Sequence, residues 1–275
     1  MTSLIGRPIF AFATLTLALM LGVSSAGALE DVKVFRGVLV LEGKIQAGDF
    51  EKVRNFLGNK ANFEKINGGV FAASPGGDLV EATKIGRLIR ALRLSTEAPS
   101  GPPTDARRFS QPVIAPNNLV NPRINYQCSS ACFFIYVSGV YRNLGSIGRL
   151  GIHRPIQSGS EVNKLDVEQA TNLAWRVRGF VKKYLEAMNV PDKYVDLMYS
   201  VPPNEVRWIS QSEFDSDIAG FVPDAKRWLS SRCNLQNKDE AAEIRKCWML
   251  NKTQLSNDAW NKVFSDNKQS VAKPL

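Results

Sequence analysis

An α/β domain is the fold class this sequence predicts, and three stretches predict it. Gly69-Val70-Phe71-Ala72-Ala73 is an apolar run of strand length ending in the turn residues Ser74-Pro75-Gly76-Gly77. Asp78 to Arg93 follows, with Leu79, Ala82, Ile85, Leu88-Ile89 and Leu92 on one helical stripe. Asn125 to Gly139 repeats the plan, passing from polar residues through the small cluster Cys128-Ser129-Ser130-Ala131 into an apolar run closed by a glycine. The third stretch, Lys164 to about Asn189, carries Leu173-Ala174, Val177, Phe180-Val181, Tyr184-Leu185 and Met188 at helical spacing before Pro191 stops it. Strands that alternate with helices of this length build a mixed layered domain.

Residues 1–28 read as a signal peptide. Arg7 provides the positive start, Pro8 to Val23 is uncharged and apolar, and Ala26 and Ala28 put small residues at both cleavage positions. The apolar run is shorter than the roughly 20 residues of a spanning helix. The expectation is a cleaved leader, a mature chain from about Leu29, and a periplasmic or secreted protein; an uncleaved membrane anchor is the alternative. Residues 29–275 suffice for one large domain with its own core.

The formal net charge is +9, and loss of Arg7 with the leader leaves +8. The basic residues are spread along the chain, with no zinc finger, RNA-binding aromatic signature or helix-turn-helix pattern. No nucleic-acid partner is expected. A weak attraction to anionic membrane surfaces or cell-wall polymers is the milder consequence. Four cysteines in an oxidising compartment predict disulfides. Local pairing gives Cys128–Cys132 and Cys233–Cys247, although four cysteines allow three connectivities. Their spacing matches no zinc motif, and the chain has a single histidine, so neither metal nor cofactor is expected.

In chain order, Val32 to Ile45 reads as a strand with a turn at Glu42-Gly43-Lys44-Ile45, and Asp49 to Leu57 as a helix. In the helix from Asp78, Asp78 and Glu81 precede Arg87, Arg90 and Arg93, which complements the helix dipole. Residues 95–125 hold Pro99, Pro102, Pro103, Pro112, Pro116 and Pro122 and read as an inserted surface loop, either a lid or a disordered insertion. Ser210 and Glu213 form a capping box, Gly220 ends that helix, and Phe221-Val222 is a strand. The main domain spans 29–224. Residues 225–275 read as a small helical appendix, pinned by Cys233 and Cys247 and anchored by Trp228, Trp248 and Trp260.

The chemistry is concentrated in two places. A strand, a sharp turn and a helix over 128–139 present a serine hydroxyl at a helix N-terminus, where unpaired N–H groups stabilise an oxyanion. Ser-Ser before an apolar helix is also an ordinary N-cap. His153, the sole imidazole, ends the short strand Arg149-Leu150-Gly151-Ile152 just before Pro155. Cys132 is an alternative nucleophile, but it lies a full turn inside the helix.

Ser74-Pro75-Gly76-Gly77, then Ser130-Ala131, then Ile152-His153-Arg154-Pro155 resemble, in this order, the proteolytic subunit of the Clp protease and its crotonase-like relatives. More narrowly, the cysteine-flanked serine resembles the periplasmic ClpP-like proteins. The resemblance covers roughly residues 32–224 and implies a β-β-α spiral. In that pattern the nucleophile stands nine positions before the glycine ending its helix; Ser130 and Gly139 keep the spacing, and Ser129 misses it by one. The resemblance implies Ser130 as nucleophile and His153 as base, with Gly76 or Gly77 and Ala131 giving backbone N–H groups to an oxyanion hole. The family's third member is an aspartate, but counting back from Trp208 lands on Pro202. Asn204 is the favoured substitute and Glu205 the alternative, with a Ser-His dyad also open. The implied protein is an exported serine hydrolase, a peptidase acting on peptides or proteins through an acyl-enzyme, and a homo-oligomer through the helix after the histidine. The alternative is a catalytically inactive ClpP-like binding or assembly module. Crotonase chemistry on an acyl-CoA shares the fold, but the leader argues against it.

Overall fold

The computed structural model describes residues 29, 31–98, 127–144, 149–156, 164–235 and 240–265. The expected leader, most of the 95–125 insertion and the last residues of the appendix lie outside them.

The chain opens with a hairpin of β1 (Asp31–Phe35) and β2 (Val38–Glu42), not the single strand expected before Gly43. Arg36 and Gly37 both take positive φ, 47° and 83°, which supplies the tight two-residue turn. Helices α1 (Asp49–Gly58) and α2 (Lys60–Phe63) lead to β3 (Gly69–Ala73) and then α3 (Leu79–Ala91). Asp78 caps α3 by accepting from Glu81 N–H at 2.9 Å. Next come β4 (Thr96–Ala98), β5 (Cys128–Ser129), α4 (Ala131–Tyr136), β6 (Tyr141–Leu144) and β7 (Leu150–Ile152). The remainder is α5 (Val167–Ala187), α6 (Lys193–Ser200), β8 (Arg207–Trp208), α7 (Gln211–Asp217), β9 (Gly220–Phe221), α8 (Pro223–Cys233) and α9 (Glu240–Phe264). The capping box of α7 forms, with Ser210 and Glu213 bonded in both directions. Among the described residues no helix is long and apolar enough to cross a membrane.

Two sheets result. The larger runs β1-β2-β3-β4-β6-β9, parallel from β2 through β6 with antiparallel edges; the smaller runs β5-β7-β8. A bridge between Ser74 and Cys128 ties the end of β3 to β5, so the Gly-Gly turn arrives beside the small sheet. The main core packs α1, α3 and α4 against the large sheet, and all six side chains of α4 are buried in it.

The first residues of the insertion expected over 95–125 are a strand of the large sheet. Thr96–Ala98 form β4, paired with both β3 and β6, because Thr96 and Ala98 are buried and Thr96 Oγ1 donates to the Tyr136 carbonyl at 2.6 Å. Three residues are too few to show a period against a proline-rich background. Gly139 also has a role different from the expected helix stop, since α4 ends at Tyr136. A Cβ at Gly139 would lie 2.2 Å from Thr96 Oγ1 and 2.8 Å from Thr96 N, so glycine is needed there for close approach to β4. The C-terminal end of α4 is held by Arg90 of α3. Its Nε donates to the Ser138 carbonyl at 2.6 Å and its Nη2 to those of Val137 and Gly139 at 3.3 Å. A cation at that end complements the helix dipole.

The appendix does not stand apart. Its Leu229, Ile244, Cys247, Trp248 and Leu255 make a satellite core with Val140 and Val222, while Trp260 Nε1 donates to the Leu57 carbonyl at 2.7 Å on the main domain. Both locally paired disulfides, Cys128–Cys132 and Cys233–Cys247, are present.

Candidate active site

The site grows from the step between β5 and α4. Ser130 occupies the N-cap position with φ 57° and ψ −124°. An ordinary capping serine sits in the β region and gives its oxygen to a helix N–H. Ser130 makes no such bond, so the plain cap reading does not describe it. A non-glycine residue held there costs about 1–3 kcal/mol, and such strain collects at functional sites. Three features hold it. Ser130 N–H donates to the Gly151 carbonyl at 2.9 Å, its carbonyl accepts from Phe133 N–H at 3.1 Å, and the Cys128–Cys132 disulfide joins the residues two before and two after it. Ser129 differs. It is 3% exposed, and its Oγ donates to the Pro75 carbonyl at 3.2 Å, whereas Ser130 is half-buried.

The Pro-Gly-Gly turn lies directly against this step. A Cβ on Gly76, whose φ is 103°, would stand 2.5 Å from Ser130 Cβ, 2.8 Å from the Ser129 carbonyl oxygen and 3.0 Å from Ala131 N. Only glycine brings the two backbones this close. The two glycines differ in what they offer. Gly76 N–H donates to Ser74 Oγ at 3.0 Å, and its carbonyl accepts from Ile45 N–H at 2.9 Å. For Gly77 N–H and Ala131 N–H no acceptor occurs among the described residues. Ser74 braces the turn through its bond to Gly76 N–H, which leaves Gly77 N–H uncommitted beside the β5–α4 step.

His153 immediately follows β7. Cys128 pairs with Leu150 and Ser129 with Gly151 in parallel, which brings His153 to the same end of the strand pair as Ser130. Its Nδ1 lies 2.9 Å from the Arg154 carbonyl oxygen. A carbonyl only accepts, so Nδ1 is the donor in this contact and Nε2 is left out of it. Arg154 N–H in turn donates to the Val201 carbonyl at 3.2 Å, fastening the histidine segment to the loop after α6. Asn204 and Glu205 are exposed on that loop, and neither is hydrogen-bonded to His153 among the described residues.

Gly151 and Ser74 escape a reading based on reactive side chains alone. Gly151 supplies the carbonyl that holds Ser130, and a Cβ there would meet Val206 Cγ1 at 2.5 Å and both Ser129 Cβ and Trp208 Cζ3 at 2.9 Å. A glycine inside a short apolar strand was the available signal. Beyond it, Arg149 stacks over the Trp208 ring at 4.1 Å. Arg207 pairs with Glu213 at 2.6 Å, and that guanidinium, with the Ser210 N–H, holds the Glu213 carboxyl down at about 2. Among the described residues no group of three or more His, Cys, Asp and Glu is placed to hold a metal ion.

No protein-family model and no curated protein matches the chain. Solved structures do. One is a point mutant of ClpP1 from Listeria monocytogenes, 15% identical with a TM-score of 0.43, the match covering 75% of this chain and 95% of that one. Another is a mutant of the membrane-bound stomatin-specific protease 1510-N, 11% identical with a TM-score of 0.42, covering 72% and 84% of the two chains.

Proposed function

We propose that the protein is an exported serine hydrolase, a peptidase that forms an acyl-enzyme on Ser130. The observation that carries this reading is the strained backbone of Ser130, whose hydroxyl caps no helix and whose Cβ lies against a glycine turn where Gly77 N–H has no acceptor among the described residues. Ser130 Oγ attacks the substrate carbonyl while His153 Nε2 takes its proton. The oxyanion is received by Gly77 N–H and Ala131 N–H. Collapse expels the amine with the proton from His153, and water, activated by the same imidazole, releases the acid. The third group is Asn204, with Glu205 as the alternative; either needs the loop after Val201 to close on the imidazole. The leader over 1–28 directs the chain to the periplasm or outside the cell, where its substrates are peptides or proteins.

The test is labelling with a fluorophosphonate, which needs an activated serine. Wild-type protein labels, and His153→Ala loses labelling by about 10²–10⁴, the usual worth of a general base. Equal labelling of both proteins removes His153 from the mechanism.

The second reading, an inactive ClpP-like binding module, draws on His153 having a backbone carbonyl rather than a carboxylate or amide as its partner. A folded wild-type protein that does not label at all favours it.

A homo-oligomer belongs to the same proposal. In α5 only Val181, Tyr184 and Leu185 are buried, while Val167 is 85% and Trp175 66% exposed, leaving the first half of the helix for a partner copy. Sedimentation at micromolar concentration should show an assembly that Trp175→Glu dissociates; a wild-type monomer refutes it.

A further inference from the structure

Leu29 has its side chain 1% exposed in the main core. Its backbone nitrogen donates to both carboxylate oxygens of Asp49, at 3.2 and 3.1 Å, and its carbonyl accepts from Lys52 Nζ. Asp49 is itself 1% exposed, and its Oδ2 also accepts from Gln46 N–H at 2.7 Å. The nearby charges are otherwise engaged. Lys52 holds the Leu29 carbonyl. Glu81 of α3 accepts from Gly48 and Phe50 N–H at 3.1 and 2.8 Å and pairs with Lys84 at 3.0 Å. Among the described residues no lysine or arginine forms an ion pair with Asp49. A buried carboxylate with no ion-pair partner in contact is costly, so a cation placed directly against this one would be stabilising.

The nitrogen in front of it is where a cation can arise. An amide nitrogen has one proton, here shared between two oxygens; an α-ammonium has three. Ala26 and Ala28 place the predicted cut at the bond before Leu29. We infer that Leu29 is the mature N-terminus and that its α-ammonium docks as the buried counter-ion of Asp49. Hydrolysis of the Ala28–Leu29 bond by a leader-removing peptidase consumes one water. The hydroxyl goes to the Ala28 carbonyl carbon, leaving a carboxylate on the leader, and the protons go to the Leu29 nitrogen, which is charged at neutral pH. The docking rests on the exported reading but not on any chemistry at Ser130.

The test expresses the full chain with its own leader, fractionates the cells, sequences the N-terminus and follows acetylation of the α-amine at neutral pH. The exported chain should begin at Leu29, with an amine acetylated at least about tenfold more slowly when folded than in urea, because modification then waits for local opening. Asp49→Asn should raise the folded rate toward the unfolded one. Glu81→Gln, which braces the same helix end without touching Leu29 N, should leave it slow. If Asp49→Asn does not fold, the wild-type comparison decides alone. An exported chain beginning elsewhere, equal rates folded and unfolded, or equal acceleration by both variants overturns the docking. A chain kept in the cytoplasm with its leader intact sinks the exported reading instead.

Discussion

On the proposed mechanism, Ser130→Ala lowers peptide hydrolysis by about 10⁴-fold or more, the scale set by nucleophile deletions in serine proteases, while leaving the folded structure in place. The hydroxyl makes no capping bond, so among the described residues its removal takes away no helix-capping hydrogen bond. Alanine, too, is strained at φ 57°, so the variant retains the native strain without relieving it. Ser129→Ala gives the converse result. Its hydroxyl is buried and bonded to the Pro75 carbonyl, so the variant loses about 1 kcal/mol of stability and keeps most activity. Assayed together by hydrolysis rate and urea midpoint, the two variants separate the chemical serine from the structural one. Equal loss of activity in both contradicts the assignment.

Gly76→Ala damages stability and activity together. Its φ of 103° costs a side-chain residue about 1–2 kcal/mol. The added methyl would lie 2.5 Å from Ser130 Cβ and 2.8 Å from the Ser129 carbonyl oxygen, contacts that cost about 1–3 kcal/mol more as the turn and the β5–α4 step move apart. On the proposed mechanism that displacement also shifts Gly77 N–H, and loss of one oxyanion donor lowers the rate by about 10²–10³. Gly179→Ala is the control. Nothing lies within 4 Å of its Cβ position, so a helix-favouring alanine there stabilises by up to about 1 kcal/mol. A Gly76→Ala protein with wild-type midpoint and rate would mean that the turn is not packed on Ser130.

Much of this was legible beforehand where the pattern was long. The stripe from Leu79 to Leu92 predicted α3, Ser210 and Glu213 predicted the start of α7, and the local cysteine spacing predicted both disulfides. Short or non-local features were not legible. The β1–β2 turn depends on Arg36 accepting positive φ, which arginine does not advertise, and β4 is three residues whose partners lie far away in sequence. The candidate site divides in the same way. Reactive side chains can be named from sequence. The use of Gly76 N–H by Ser74, the hold of Gly151 on Ser130 and the bond from His153 to its neighbour's carbonyl are backbone relations with no signature in residue type.

The central claim is that one hydroxyl, at position 130, is an activated nucleophile. Digestion of fluorophosphonate-treated protein and mass mapping of the adduct test it most directly. A single phosphonylated residue, Ser130, is expected on wild-type protein and none on Ser130→Ala or on the urea-unfolded chain. An adduct on another residue, or none on the folded wild type, contradicts it.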